Sequence, residues 1–200
     1  MESGKVLHVE AFESFVALAL EAEDFVVSEA VKYPVKLQTK RVSHPEYQTH
    51  WYEVDLVGAR ADRLVLASVK SFFGSAGVRG DEVKGNSKKA SGNAKFQLLN
   101  RPEVRDPVLA GLASRFGYST NQVELRLYVG SWANSQSGAD EKLAREWCAE
   151  QQVGSGPIQV FDLNDVVPVA LQLAKSKTYR NNPALVAIKV LGAAGALAGN

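Results

Sequence analysis

The six residues Leu64-Val65-Leu66-Ala67-Ser68-Val69 form a nearly continuous apolar run that ends on Lys70. A short run of this kind, with turn signals before it, reads as a strand covered on both faces. It asks for a sheet with a layer on each side, and a chain of 200 residues is long enough to bury one such core. An ammonium emerging from such a strand needs a partner, because an unpaired buried charge is costly.

The flanking pattern supplies the rest of the sheet and its layers. Val9 to Glu23 places Val9, Phe12, Phe15, Val16, Ala19 and Leu20 at helical spacing. Phe25 to Val27 and Tyr33 to Leu37 read as extended, and Pro34 favours an edge position. His50 to Val57 and Leu64 to Phe72 form a hairpin around Gly58 and Asp62. Residues 74–95, rich in Gly, Ser, Asn and Lys, read as a long mobile surface loop.

Beyond that loop, Arg105 to Phe116 is predicted helical, Gln122 to Val129 an alternating strand, Ala139 to Gln151 a charged helix and Ile158 to Phe161 a strand. Asp162 or Asn164 caps a helix to about Lys175, and Asn182-Pro183 opens a last one. The expected fold class is α/β, a mixed β-sheet flanked by helices. Residues 1–162 form the core and 163–200 a C-terminal helical extension.

Side chains of a strand alternate between faces, so Glu53 and Asp55 share one face of the first hairpin strand, and Ser68 and Lys70 share one of the second. A loop of four residues, Ala59 to Asp62, pairs Gly58 with Arg63. It sets Asp55 opposite Leu66 and Glu53 opposite Ser68, with all four polar groups on one side. A solvated sheet face accounts for that pattern without function; the apolar run leading to Lys70 argues against it.

With Glu13 in the first helix, Glu53-Val54-Asp55-Leu56-Val57 in one strand and Leu64 to Ser71 in the next, the chain resembles the PD-(D/E)xK, or restriction-endonuclease-like, superfamily. The resemblance covers about residues 9–72. It implies a restriction-endonuclease-like core that hydrolyses phosphodiester bonds with Mg2+ or Mn2+. It implies Asp55 as the central metal ligand, the Val69 carbonyl as a second, and Glu13 as a ligand directly or through water. Lys70 is then expected to orient or activate the attacking water. A hard cation polarises the phosphate and acidifies its bound water, and fixed positive charge steadies the transition state.

Ser68 departs from this pattern, standing where an acid is expected. Either Glu53 supplies the missing carboxylate, or Glu13 carries more of the metal binding, or the domain is degenerate and binds nucleic acid or a protein partner without cutting.

Nucleic acid, DNA in particular, is the expected partner. Residues 79–105 hold seven basic side chains, among them Lys84, Lys88, Lys89, Lys95 and Arg101, against three acids, a local charge of +4 where the whole chain carries +1. An ordinary solvated loop explains that charge equally well. Gln97, Trp51, Tyr52, Trp132 and Tyr179 are lesser candidates for substrate contact.

Other chemistries are excluded more simply. A single cysteine, Cys148, rules out an intrachain disulfide and a cysteine-rich zinc site; His8, His44 and His50 are too scattered for a metal motif. No P-loop, dinucleotide fingerprint or nucleophile elbow occurs. The amino terminus lacks the features of a secretory signal, so a cytoplasmic protein is expected. The apolar stretch from Pro183 to Gly199 is too short for a comfortable membrane span and reads as a buried helix or a homodimer contact.

Overall fold

The computed structural model describes residues 11–38, 46–176 and 182–197. Its elements are α1 (Ala11–Ala22), β1 (Val26–Gln38), β2 (Tyr47–Arg60), β3 (Arg63–Lys70), α2 (Gly80–Val83), α3 (Ala90–Asn93), α4 (Gln97–Asn100), α5 (Pro102–Phe116), β4 (Val123–Val129), α6 (Ala139–Glu150), β5 (Gln152–Val153), β6 (Gly156–Pro157), β7 (Gln159–Asp162), α7 (Leu163–Ala174) and α8 (Pro183–Ala193). Val9 and Glu10, where the first helix was predicted to start, lie outside the described residues, as do His8, His44 and Tyr179.

Five strands form one sheet in the order β1-β2-β3-β4-β7. β1, β2 and β3 run antiparallel, whereas β3, β4 and β7 run parallel. β1 is the edge that Pro34 asked for, since a residue with no N–H cannot serve a strand paired on both sides. β3 and β4 are buried along nearly their whole length, as strands covered on both faces must be.

One face is covered by α5, α6 and the helical turns between β3 and α5, around Leu64, Leu66, Leu125 and Leu127. The other is covered by α1 and α7, around Val65, Ala67, Val69 and Tyr128. Leu18 of α1 also packs on Ala170, Leu185 and Ile188, joining α7 and α8 to the same layer. α8 leaves Val186, Val190 and Leu191 exposed. Among the described residues no helix is long and apolar enough to cross a membrane.

Three expectations are corrected here. The hairpin closes through a two-residue turn, Ala61-Asp62, with Arg60 opposite Arg63, so the register slides by two and Asp55 comes level with Ser68 rather than Leu66. The turn is held by Arg60 Nε donating to Asp62 Oδ1 at 2.8 Å. Residues 74–95 are not an open surface loop: α2 and α3 lie within them, and Val78, Val83 and, just beyond, Phe96 and Leu99 are fully buried in the core. The apolar side chains at those four positions outweigh the surrounding Gly, Ser and Asn. Finally, β4 does not alternate between core and solvent.

Instead, Glu124, Arg126 and Tyr128 of β4 are buried together. Arg126 donates to both oxygens of Glu23 at 2.8 and 3.0 Å, to Glu124 at 2.8 and 3.0 Å and to Tyr128 Oη at 3.3 Å, and Arg63 also pairs with Glu124. The guanidinium lies between the rings of Phe25 and Phe161, 5.5 and 5.3 Å from their centroids. Paired on so many sides, a polar strand face is tolerated inside the layer.

Candidate active site

At Asp55 the regular pairing of β2 is interrupted. The β2–β3 ladder ends at Leu56↔Ala67, and the β1–β2 ladder steps from Glu29↔Leu56 to Val31↔Val54, skipping the rung where Ala30 faces Asp55. Ala30 has φ 51°, a left-handed conformation that a residue with a Cβ rarely adopts. The consequence is a change of facing in both strands. Val27 and Leu56 pack on the α1 side, whereas Val31 and Val54, each an even number of residues away, pack on the α5 side.

Into this break the Asp55 carboxylate turns toward β3. Its Oδ2 accepts from the Val69 backbone N–H at 2.6 Å, from Lys70 Nζ at 3.2 Å and from Ser68 Oγ at 3.5 Å. The carboxylate thereby takes the N–H that a regular ladder would have given to a backbone carbonyl. The Asp55 and Lys70 side chains are 18% and 19% exposed, enough for a ligand to reach and dry enough for the pair to feel a reduced dielectric. Ser68 is buried at 3%.

Asp55, Ser68, Val69 and Lys70 are thus brought together as expected, and Glu53 is not. The change of facing sends Glu53 outward, where it pairs with Lys32 of β1 at 3.3 Å. Glu13 sits half-buried in the first turn of α1. Its neighbour Phe12 meets Phe73 edge-on at 5.7 Å, which brings that turn to the end of the sheet where β3 exits. Among the described residues no three His, Cys, Asp or Glu side chains are grouped to hold a metal ion.

No family model, no curated protein and no solved structure matches the chain. Its site must therefore be read from its own geometry.

The basic residues converge more than a loop reading suggested. Lys88, Lys89 and Lys95, with Arg79, line a cavity of about 570 Å3 that begins at Phe72, two residues beyond Lys70. Lys95 Nζ lies 4.8 Å from the Phe72 ring centroid. Lys84 and Arg101 line a second cavity of about 420 Å3 that shares Asn86 with the first. Gln97 starts α4 and accepts from Arg101 at 2.9 Å.

Sequence reasoning missed Ala30 and Phe72. Phe72 also has a positive φ, 47°, so two of the four such non-glycine residues among the described residues flank the Asp55–Lys70 pair. Strain of this sort costs on the order of 1–3 kcal/mol per residue and concentrates at functional sites. A lone alanine or phenylalanine carries no local signal for it.

Proposed function

We propose that the chain is a metal-dependent nuclease that hydrolyses nucleic-acid phosphodiester bonds at Asp55 and Lys70. One observation carries the reading: an aspartate and a lysine from neighbouring strands meet at 3.2 Å in a break of the sheet, near the carboxyl ends of its parallel strands. Open α/β sheets present ligands at that end. The element order, a helix, three antiparallel strands, then helix and parallel strand, agrees with the restriction-endonuclease-like resemblance and supports it further.

The cation this reading requires is Mg2+ or Mn2+. Asp55, the Val69 carbonyl and Ser68, with Glu13 from α1, would hold it, an oxygen donor set of the kind hard divalent cations accept. Bound there, the ion would supply Lewis-acid polarisation of the phosphate. Lys70 holds its ammonium beside the reacting group, Asp55 is fixed by the Val69 N–H, and the cations around Phe72 hold the phosphate backbone.

Purified protein incubated with single- and double-stranded DNA and Mg2+ or Mn2+ is expected to cut, and Asp55→Asn and Lys70→Ala are each expected to slow cutting by roughly 100-fold or more. Cutting that survives Asp55→Asn unchanged removes this mechanism.

A second reading, a nuclease-like domain that binds without cutting, is favoured by Ser68 at the acid position and by Glu53 pairing with Lys32. It requires salt-sensitive binding that persists when the metal is chelated, with no cleavage. Self-association through α8 rests on exposed Val186, Val190 and Leu191; sedimentation of the wild type against Val190→Glu tests it.

A further inference from the structure

The cavity beside Phe72, of about 570 Å3, is lined by one side chain that the cleavage reading leaves unused. Glu82 of α2 is 8% exposed, and among the described residues its carboxylate takes no hydrogen bond and no ion pair. An ionised carboxylate only accepts, and burying it without a donor is costly. Its backbone is fixed: the Glu82 carbonyl accepts from Asn100 Nδ2 at 3.1 Å, and the Gly80 N–H at the start of α2 donates to Asp140 Oδ1 at 2.8 Å. A Cβ on Gly92 would collide with Glu82 Oε1, so α3 carries glycine where the carboxylate passes.

Most of the other charges in this cavity are positive. Lys88, Lys89 and Lys95 line it and take part in no ion pair among the described residues, while Arg79 stands 3.4 Å from Asp81. A plain anion is repelled by Glu82 and a plain cation by the lysines. The ligand that satisfies both has two ends, an anionic group for the lysines and N–H donors for the carboxylate.

Neither Asp55 nor Lys70 lines the cavity. Phe72 does, and its Cα, two residues on, lies within about 8 Å of that of Lys70. A nucleotide held here is therefore a neighbour of the one being cut.

Resting on the nuclease reading above, we infer that this cavity is a base-recognition site that takes an unpaired guanine nucleotide of the substrate, its base donating to Glu82 and its phosphates facing Lys88, Lys89 and Lys95. Guanine alone among the four DNA bases sets two N–H donors side by side, N1–H and the 2-amino group, to meet the two oxygens of a carboxylate. Adenine and cytosine put an acceptor next to their amino group, and thymine flanks its single N–H with two carbonyls. A base pair occupies that edge of guanine, so the base has to leave the duplex to reach Glu82. The cavity has the volume of a small-ligand pocket, which suits one nucleotide.

The test is fluorescence anisotropy of the full chain with a labelled oligothymidylate carrying one central dG, dA, dC or deoxyinosine, with EDTA present so that nothing is cut. The dG form is expected to bind at least roughly tenfold tighter than the dA and dC forms, and deoxyinosine, which keeps N1–H and lacks the 2-amino group, to lose most of that margin. Glu82→Gln, which keeps the volume and turns one acceptor into a donor, should bring dG down to the level of dA. Lys88→Ala with Lys89→Ala should weaken all four alike and flatten the dependence on salt, leaving their ranking.

Equal binding of dG and deoxyinosine, or a dG preference that survives Glu82→Gln, overturns the inference and leaves the nuclease reading standing. The deoxyinosine comparison uses the unaltered chain, so it decides even where Glu82→Gln fails to fold. Binding of none of the four overturns the inference together with the nuclease reading. A dG preference without cleavage on adding Mn2+ overturns the nuclease reading alone and upholds this one.

Discussion

Ser68 stands level with Asp55, its hydroxyl 3.5 Å from the carboxylate, and 3% exposed. An acid placed there would crowd a second negative charge against the first unless a cation lay between them. Ser68→Asp is therefore expected to lower thermal stability in EDTA and to recover it in Mn2+, since an ion bound only by the folded state stabilises it by mass action. Differential scanning calorimetry with and without the metal reads both changes, and a loss equal in the two conditions would show that no ion sits there. Arg126 is the opposite case, a charge whose 4% exposed side chain is satisfied by protein alone. Removing one partner of a buried pair costs about 3–5 kcal/mol, so Arg126→Ala should lower the urea midpoint by that equivalent while leaving the proposed nucleic-acid binding unchanged.

The elements that were legible from sequence are those with strong periodicity or an unbroken apolar run: α1, the β2–β3 hairpin, β4, α6 and the last two helices. Two things were hidden. The hairpin register depended on a turn of two residues without the glycine that marks such turns, and an error of two leaves every side chain on its expected face, so periodicity could not expose it. The segment from Gly74 to Lys95 was obscured because its buried residues are few and its helices only four residues long, so that composition overwhelmed pattern. Phe96→Ala separates the two views of that region: a packed helical turn loses about 3–5 kcal/mol of stability, whereas a solvated loop loses almost none. Chemical denaturation decides it. The Asp55–Lys70 pairing was readable because both residues lie in the hairpin. The outward turn of Glu53 was not, since it follows from a backbone conformation at Ala30, on another strand.

Across the whole molecule, the two covered faces of the sheet each bury a weak acid. Desolvation pushes the Tyr128 phenol up from 10.0 to about 12, and the Cys148 thiol up from 9.0 to about 12. Both groups stay protonated in the folded chain at pH values where the unfolded chain has already released the proton. Stability is thus unaffected by either group below about pH 9 and falls from there to about pH 12, by about 1.4 kcal/mol per pH unit for each group inside its window. Urea midpoints measured from pH 8 to pH 11 should show that decline, and Cys148→Ala should delay its onset toward pH 10.

The half-turn taken by β1 and β2 at Ala30 and Asp55 also sets which substitutions the ribbon will accept. In a saturation scan of β2, polar replacements should be rejected at Tyr52 and Val54, accepted at Trp51 and Glu53, and rejected at both Leu56 and Val57. The alternating rhythm of tolerance drops one beat at Asp55, and an alignment of relatives should carry the same syncopation at that column.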